Sequence, residues 1–211
     1  MVEIALIAFA NLFVIVDPIG LVPLFVGLTR HMDRRARVRA ALMGPLVGFL
    51  VLLTFALVGD SILTYLGIGM PAFRAAGGLL LLLFAIEMIF EKRTRRREKQ
   101  VEDAAQATPE PAANDDVSVF PLGVPLIAGP GAMTAIMLLM HQQTGNLAGQ
   151  ATVLGVLLGV CLISLLAFLG AARISHWISP ALTMVVTRVL GVLLASLATQ
   201  HLFDGISAVF R

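Results

Sequence analysis

Charged side chains are scarce in this sequence, and their scarcity excludes an ordinary water-soluble domain. Of 211 residues, 13% are charged and 58% are hydrophobic, whereas about 25% of the residues of a typical soluble domain are charged. A chain with so few charges cannot cover a surface that faces water. The composition therefore predicts an integral membrane protein whose main partner is the lipid bilayer.

Cysteine and recognisable catalytic motifs are also nearly absent. The single cysteine, Cys161, leaves no pair for an intrachain disulfide. The sequence has no His-Glu-x-x-His, no Gly-x-Ser-x-Gly, no phosphate-binding loop and no His or Cys cluster with metal-ligand spacing. We therefore expect neither an enzyme nor an ATP-driven pump. We expect no resident metal or cofactor, with Na⁺ or H⁺ serving only as a coupling ion.

Six long apolar runs occupy most of the chain. Each is continuously apolar over about 20 residues, the length that a helix needs to cross a bilayer, whereas strands of a membrane barrel alternate over about ten residues. The sequence thus predicts an all-α membrane protein with six transmembrane helices. The predicted spans are residues 4–28, 42–58, 73–90, 118–140, 151–172 and 184–203.

Basic residues are concentrated in the loops on one side of the predicted bundle. Thirteen of the 15 Lys and Arg residues follow the first, third or fifth span, and only Arg74 and Arg211 do not. Because loops rich in these residues stay in the cytoplasm, both termini are predicted on the periplasmic or extracellular side of the cell (inner) membrane. Topology and anionic lipid explain these cations, so they give no indication of nucleic acid binding.

A hydrophilic linker divides the single membrane domain, residues 1–211, into two halves. Residues 91–117 are rich in Arg, Glu, Ala, Pro and Asp, which predicts a flexible cytoplasmic linker. Residues 1–90 and 118–211 each contain three spans, and because three is odd, the second half must enter the membrane reversed. Arg74 and Gly77 recur as Arg188 and Gly191 at a shift of 114 residues. These features predict two inverted three-helix repeats, as in many secondary transporters.

Proline and glycine interrupt the first and fourth spans, which predicts that both are discontinuous helices. The interruptions are Asp17-Pro18-Ile19-Gly20 with Pro23, and Gly129-Pro130-Gly131. Proline releases a helical carbonyl, and irregular backbone at membrane depth is tolerated where it lines a cavity. The ends of half-helices would suit a carboxylate on one side and an ammonium or Na⁺ on the other. Plain proline kinks in structural helices are the alternative.

Three ionisable residues within the spans are candidates for function. Asp17 lies deep in an apolar run, where a carboxylate is costly unless it is paired or faces water. It would neutralise a substrate ammonium, bind Na⁺ or carry a proton, and it would also cap a half-helix beginning at Pro18. Glu87 and His201 correspond at the shift of 114 residues and are candidate gate or proton-relay residues. In the alternative interpretation, the side chains of Glu87 and His201 have no role in transport and extend towards the nearby membrane interfaces.

Two segments resemble the MarC family of membrane proteins, which is related to the small neutral amino acid transporter SnatA. They are NLFVIVDPIGLVPLFVGLT at residues 11–29 and IAGPGAMTAIM at residues 127–137, and the resemblance extends over essentially the whole chain. It implies six spans and an inner-membrane location. The residues that it implies along a transport path are Asp17, Pro18, Gly20, Pro23, Gly129, Pro130 and Gly131, with Asn11 and Thr134 as neighbouring polar lining.

The sequence therefore favours a secondary transporter of small neutral amino acids such as glycine or alanine, coupled to Na⁺ or H⁺. One alternative is an exporter of another small solute. Another is a scaffold or stress-linked accessory protein that transports nothing, in which the interruptions only aid helix packing. Small residues such as Gly155 and Gly159 would permit close packing within one chain or in a homo-oligomer.

Overall fold

All regular secondary structure in the described residues is helical. The computed structural model describes residues 1–30, 32–90, 118–171 and 180–210, so the predicted linker and the basic residues within it lie outside the described residues, as does Arg211. The helices, numbered in chain order, are α1 (Val2–Val16), α2 (Pro18–Leu28), α3 (Arg34–Tyr65), α4 (Met70–Ile89), α5 (Ser118–Ile127), α6 (Pro130–His141), α7 (Leu147–Leu169) and α8 (Pro180–Val209). Helix α5 is π-helical.

The prediction of an all-α membrane protein is confirmed. Five apolar helical segments in the described chain are long enough to cross a bilayer: Val2–Leu28, Arg34–Tyr65, Met70–Ile89, Leu147–Leu169 and Met184–Val209. The fourth predicted run is occupied by α5 and the shorter apolar helix α6. Large apolar side chains on the outside of the bundle, among them Leu6, Leu57 and Leu166, are more than half exposed, as expected of a surface that contacts lipid.

Helix α3 extends well beyond the predicted apolar run of residues 42–58. It begins at Arg34 because the carboxylate of Asp33 caps it, accepting a hydrogen bond from the amide of Ala36 at 2.8 Å. Arg37 donates to the backbone carbonyl of Thr29 at 3.1 Å and so ties α3 to the end of α2. Four of the five basic residues expected after the first span thus lie in the first two turns of α3, and Arg30 lies just before it, so all five stay at one end of the bundle.

Each element of one half packs mainly on elements of the other half. Helix α3 lies against α5 and α6, α1 and α2 lie against α7, and the most extensive contact joins α4 to α8. The rings of Phe25 in α2 and Phe168 in α7 are both fully buried and stack with their centroids 4.6 Å apart. Because lipid tails are as apolar as these side chains, close packing of this kind is what holds helices together in a bilayer.

Candidate functional site

Asp17 separates α1 from α2 near the middle of the first membrane segment. At about 1.5 Å per residue, α1 extends about 22 Å to one side of it and α2 about 16 Å to the other. Among the described residues, Asp17 is the only non-glycine residue with a positive φ, at 57° with ψ of 62°. It is 6% exposed. The structure therefore puts a buried carboxylate near the middle of a helical segment long enough to cross a membrane, in a conformation that costs most residues about 1–2 kcal/mol.

The carboxylate of Asp17 caps the first turn of α2. Its Oδ1 accepts a hydrogen bond from the amide of Gly20 at 3.1 Å, and Pro18 occupies the first helical position, where the lack of an N–H has little cost. The backbone ladder resumes at once, since the amide of Leu21 donates to the carbonyl of Asp17 at 3.1 Å. The interruption is therefore one residue wide. The predicted capping role of Asp17 has a direct geometric basis here.

Gly20 is the residue that makes room for this carboxylate. A methyl group at Gly20 would collide with the Oδ2 of Asp17. We expect the Gly20→Ala variant to lose the cap, which is worth about 1 kcal/mol, and to lose the solute flux proposed below because the carboxylate is displaced. The measurement is flux in proteoliposomes together with thermal unfolding in detergent.

Gly27 provides the matched control for Gly20. It lies in the same helix, and a methyl group there would have no neighbour within 4 Å. Replacing a helical glycine by alanine at such a position should be neutral or stabilising, by up to about 1 kcal/mol. Equal behaviour of Gly20→Ala and Gly27→Ala would show that the contact with Asp17 is unimportant.

The second interruption lies at Gly129, between α5 and α6. Gly129 is extended (φ −81°, ψ 166°) and carries no side chain, so it cannot cap α6 as Asp17 caps α2. Pro130 begins α6, and the hydroxyl of Thr134 donates to the carbonyl of Pro130 at 3.0 Å. A methyl group at Gly131 would lie 2.9 Å from the ring of Phe84. Close packing on α4 is therefore one reason for glycine at position 131.

The predicted lining residues differ in their exposure. Asn11, Asp17, Pro18, Gly131 and Thr134 are buried, whereas Pro23 and Pro130 are exposed. The amide of Asn11 donates to the carbonyl of Ile7 at 2.9 Å, within its own helix. Helix α1 packs against α6, so the structure brings one half of each interrupted span together.

Glu87 and His201 do not lie together. Helices α4 and α8 are antiparallel: Gly78 faces the backbone of Ala198 and Leu202, while Gly191 faces Ala85 and Met88. His201 is thus level with the part of α4 near Gly78, about nine residues or 13 Å from Glu87 along the axis. A direct relay between the two side chains has no support in this arrangement.

The structure also reveals two contacts between a carboxylate and a basic side chain that the sequence analysis did not single out. Arg74 lies 3.4 Å from Asp204, which also accepts a hydrogen bond from the amide of Gln200 at 2.9 Å. His141 lies 3.0 Å from Asp60. Asp60 and Asp204 both lie inside helices, near the ends of apolar runs. An acid in an apolar run is the signal that identified Asp17, although a carboxylate near the end of a span costs less free energy than one at its middle.

Comparison with known proteins supplies the family. The profile described as MarC family integral membrane protein matches residues 2–210. The chain belongs to the MarC family. The resemblance predicted from the two sequence segments is thereby confirmed, and it extends over nearly the whole chain.

Relatives named UPF0056 membrane proteins match over almost their full length. A UPF0056 membrane protein of Methanocaldococcus jannaschii is 32% identical over 202 residues, covering 95% of each chain. One from Pyrococcus abyssi is 32% identical over 204 residues, covering 97% of this chain and 94% of the relative. The UPF0056 membrane protein YhcE of Escherichia coli is 30% identical over 206 residues, covering 96% and 91%. No solved structure matches the chain.

The names of these relatives describe membrane proteins and specify no substrate. Membership of the MarC family therefore supports a multi-pass membrane protein. The chemistry of the candidate site depends on the residues at the two interruptions. Those residues provide one buried carboxylate, at Asp17, and one helix start without a side-chain cap, at Gly129.

Proposed function

We propose that this MarC-family chain is a secondary transporter of small neutral amino acids of the glycine and alanine type, coupled to Na⁺ or H⁺. The observation that carries the proposal is the buried carboxylate of Asp17, held in a left-handed conformation between α1 and α2, near the middle of a segment long enough to cross a membrane. Strained backbone and an intramembrane acid both concentrate at functional sites.

The chemistry of the two interruptions suits a zwitterion. The carboxylate of Asp17 would neutralise an ammonium or hold Na⁺ or a proton. The first amides of α6 lie at the positive end of its dipole, without a capping side chain at Gly129, and would receive a carboxylate. Because α1 packs against α6, while the Asp17 carboxylate fills the space beside Gly20 and Phe84 fills that beside Gly131, little room remains between the two interruptions, which favours substrates with small side chains.

We further infer that the two halves are inverted repeats whose first helices are discontinuous. The contact of α3 with α5 and α6 has its counterpart in the contact of α7 with α1 and α2. The central pair supports the same symmetry, since Gly78 faces the carbonyl of Ala198 and Gly191 faces that of Ala85. Each member of one contact is 113 residues from its counterpart in the other. The shift of 113 residues aligns positions that make equivalent packing contacts. It differs by one residue from the shift of 114, which aligns identical residues.

The proposed topology follows from the charges at the ends of α3. The basic first turns, from Arg34 to Arg39, would face the cytoplasm together with the linker, and Tyr65 would face the opposite side. Both termini would then be periplasmic or extracellular, with the chain in the inner membrane. The proposal includes no resident cofactor or metal, because the coupling ion would bind only during transport. It also includes no enzymatic activity.

The test is uptake of radiolabelled glycine and alanine by proteoliposomes that contain the purified chain, with Na⁺ and pH gradients imposed separately. Uptake that depends on one of the gradients supports the proposal and identifies the coupling ion. No flux of any small neutral amino acid under either gradient would favour an exporter of another solute or a non-transporting scaffold.

A further inference from the structure

A small cavity lies near the far end of α3, away from Asp17. Its volume is about 130 Å³, and it is lined by Phe55, Ala56, Leu57, Asp60, Met137, Met140 and Gln150. These residues belong to α3, α6 and α7, and we call it the α3–α6–α7 cavity. Asp60 lies about 39 Å beyond Arg34 along the axis of α3. The cavity is therefore at the membrane face opposite the basic turns of α3.

The α3–α6–α7 cavity has a charged side and an apolar side. Asp60 is half exposed, and its two carboxylate oxygens lie 3.0 and 3.1 Å from the Nδ1 of His141. Gln150 adds an amide from α7, whereas Ala56, Met137 and Met140 are each 8% exposed and form an apolar wall. A ligand there would meet a carboxylate at one end and methyl and thioether groups at the other.

Gly59 allows this wall to lie close to α3. A methyl group at Gly59 would be 2.7 Å from the Cγ of Met137 and 2.8 Å from its Cε. Alanine would therefore push the side chain of Met137 away from α3 and change the shape of the cavity without changing its charge. The dimensions of the cavity thus depend on a glycine beside Asp60.

We propose that the α3–α6–α7 cavity is a second binding site for a small neutral amino acid, separate from Asp17. The inference rests on the proposed transport function. The ammonium would bind Asp60, and the side chain would lie against Met137 and Met140. The cavity, at about 130 Å³, is slightly smaller than an engineered cavity of about 150 Å³ that holds the six carbon atoms of benzene. It therefore suits glycine or alanine, with five or six non-hydrogen atoms, and is too small to enclose leucine, which has nine. Helix α6 leads from His141 beside the cavity to Pro130 at the second interruption.

Cysteine protection would test the site independently of flux. Because Cys161 is the only cysteine and is buried, the double variant Cys161→Ser, Gln150→Cys has one reactive thiol in the cavity wall. Its rate of reaction with a small methanethiosulfonate is measured in proteoliposomes with and without glycine, alanine or leucine. At ten times its dissociation constant, alanine should slow labelling about tenfold, because only unoccupied protein reacts. Leucine should have no effect.

Three substitutions in this background separate binding from a structural effect. Asp60→Asn should abolish protection by alanine. His141→Asn should retain it, since the carboxylate remains, and so should Glu3→Gln, which removes an exposed carboxylate on the same proposed side of the membrane. The inference is overturned by absence of protection, by equal protection with leucine, by protection that survives Asp60→Asn, or by its loss in His141→Asn.

Failure of this inference and failure of the proposed function give different results. Absence of amino acid flux in the unsubstituted protein, with protection at position 150 intact, would defeat the transport proposal alone. Flux without protection would defeat only the second site. The Gly59→Ala variant provides a further check, because displacement of Met137 should weaken protection while Asp60 and His141 remain in place.

Discussion

Replacing Asp17 by asparagine is expected to reduce amino acid flux about 100-fold while leaving the fold intact. The loss follows from the chemistry of a buried site, where a hydrogen bond to a charged group contributes about 1.5–3 kcal/mol and each 1.4 kcal/mol is a factor of ten. A neutral amide can neither neutralise an ammonium nor hold Na⁺ or a proton in the same way. Flux of radiolabelled alanine in proteoliposomes is the measurement.

Asparagine is the informative replacement because it preserves what Asp17 does for the backbone. It caps helices about as well as aspartate, and it tolerates the left-handed conformation that Asp17 adopts. Asp17→Ala, by contrast, would lose the cap as well as the charge, and its melting temperature should fall. Unchanged flux in a folded Asp17→Asn protein would remove the main support for a transport site at this interruption.

Much of the fold could be predicted because the bilayer constrains the sequence so strongly. Backbone groups must be satisfied within each span, so long apolar runs in this chain are expected to be helices, and every predicted run overlaps at least one helix although the ends differ. The start of a helix at Pro18, directly after Asp17, also followed from sequence, because an acid before proline is a recognisable start of a helix. These predictions depend on local chemistry alone.

Contacts between distant segments could not be predicted in the same way. Nothing in the sequence indicates that His141 lies beside Asp60, because this contact depends on how far α3 extends beyond its apolar run and where α6 ends. The register of the proposed inverted repeat, as predicted from sequence, differs by one residue from the packing register for a similar reason. Identical residues suggested a shift of 114, whereas close approach of two backbones selects small residues at 113, where Gly78 corresponds to Gly191 and Ala85 to Ala198.

That close approach leads to the largest effect that we expect on stability. A methyl group at Gly78 would lie 2.5 Å from the backbone nitrogen of Leu202 and 2.7 Å from the carbonyl oxygen of Ala198. Backbone atoms cannot rotate away as a side chain can, so α8 would have to move as a body. Overpacking of this kind typically costs about 1–3 kcal/mol. We expect Gly78→Ala to lower the melting temperature in detergent, measured by loss of the folded peak in size-exclusion chromatography.

The glycines of the same chain supply a graded control and a test of mechanism. Gly155→Ala should leave the melting temperature unchanged or raise it, because a methyl group there has no neighbour within 4 Å. Gly205→Ala should resemble Gly78→Ala, since its methyl group would lie 2.5 Å from the backbone nitrogen of Ala75. Both substitutions push α8 away from α4, so once one has separated the helices the second should cost less, and the double variant should lose less stability than the sum of the two single losses. Strictly additive losses would mean that each site relaxes locally and that α4 and α8 do not move as rigid bodies.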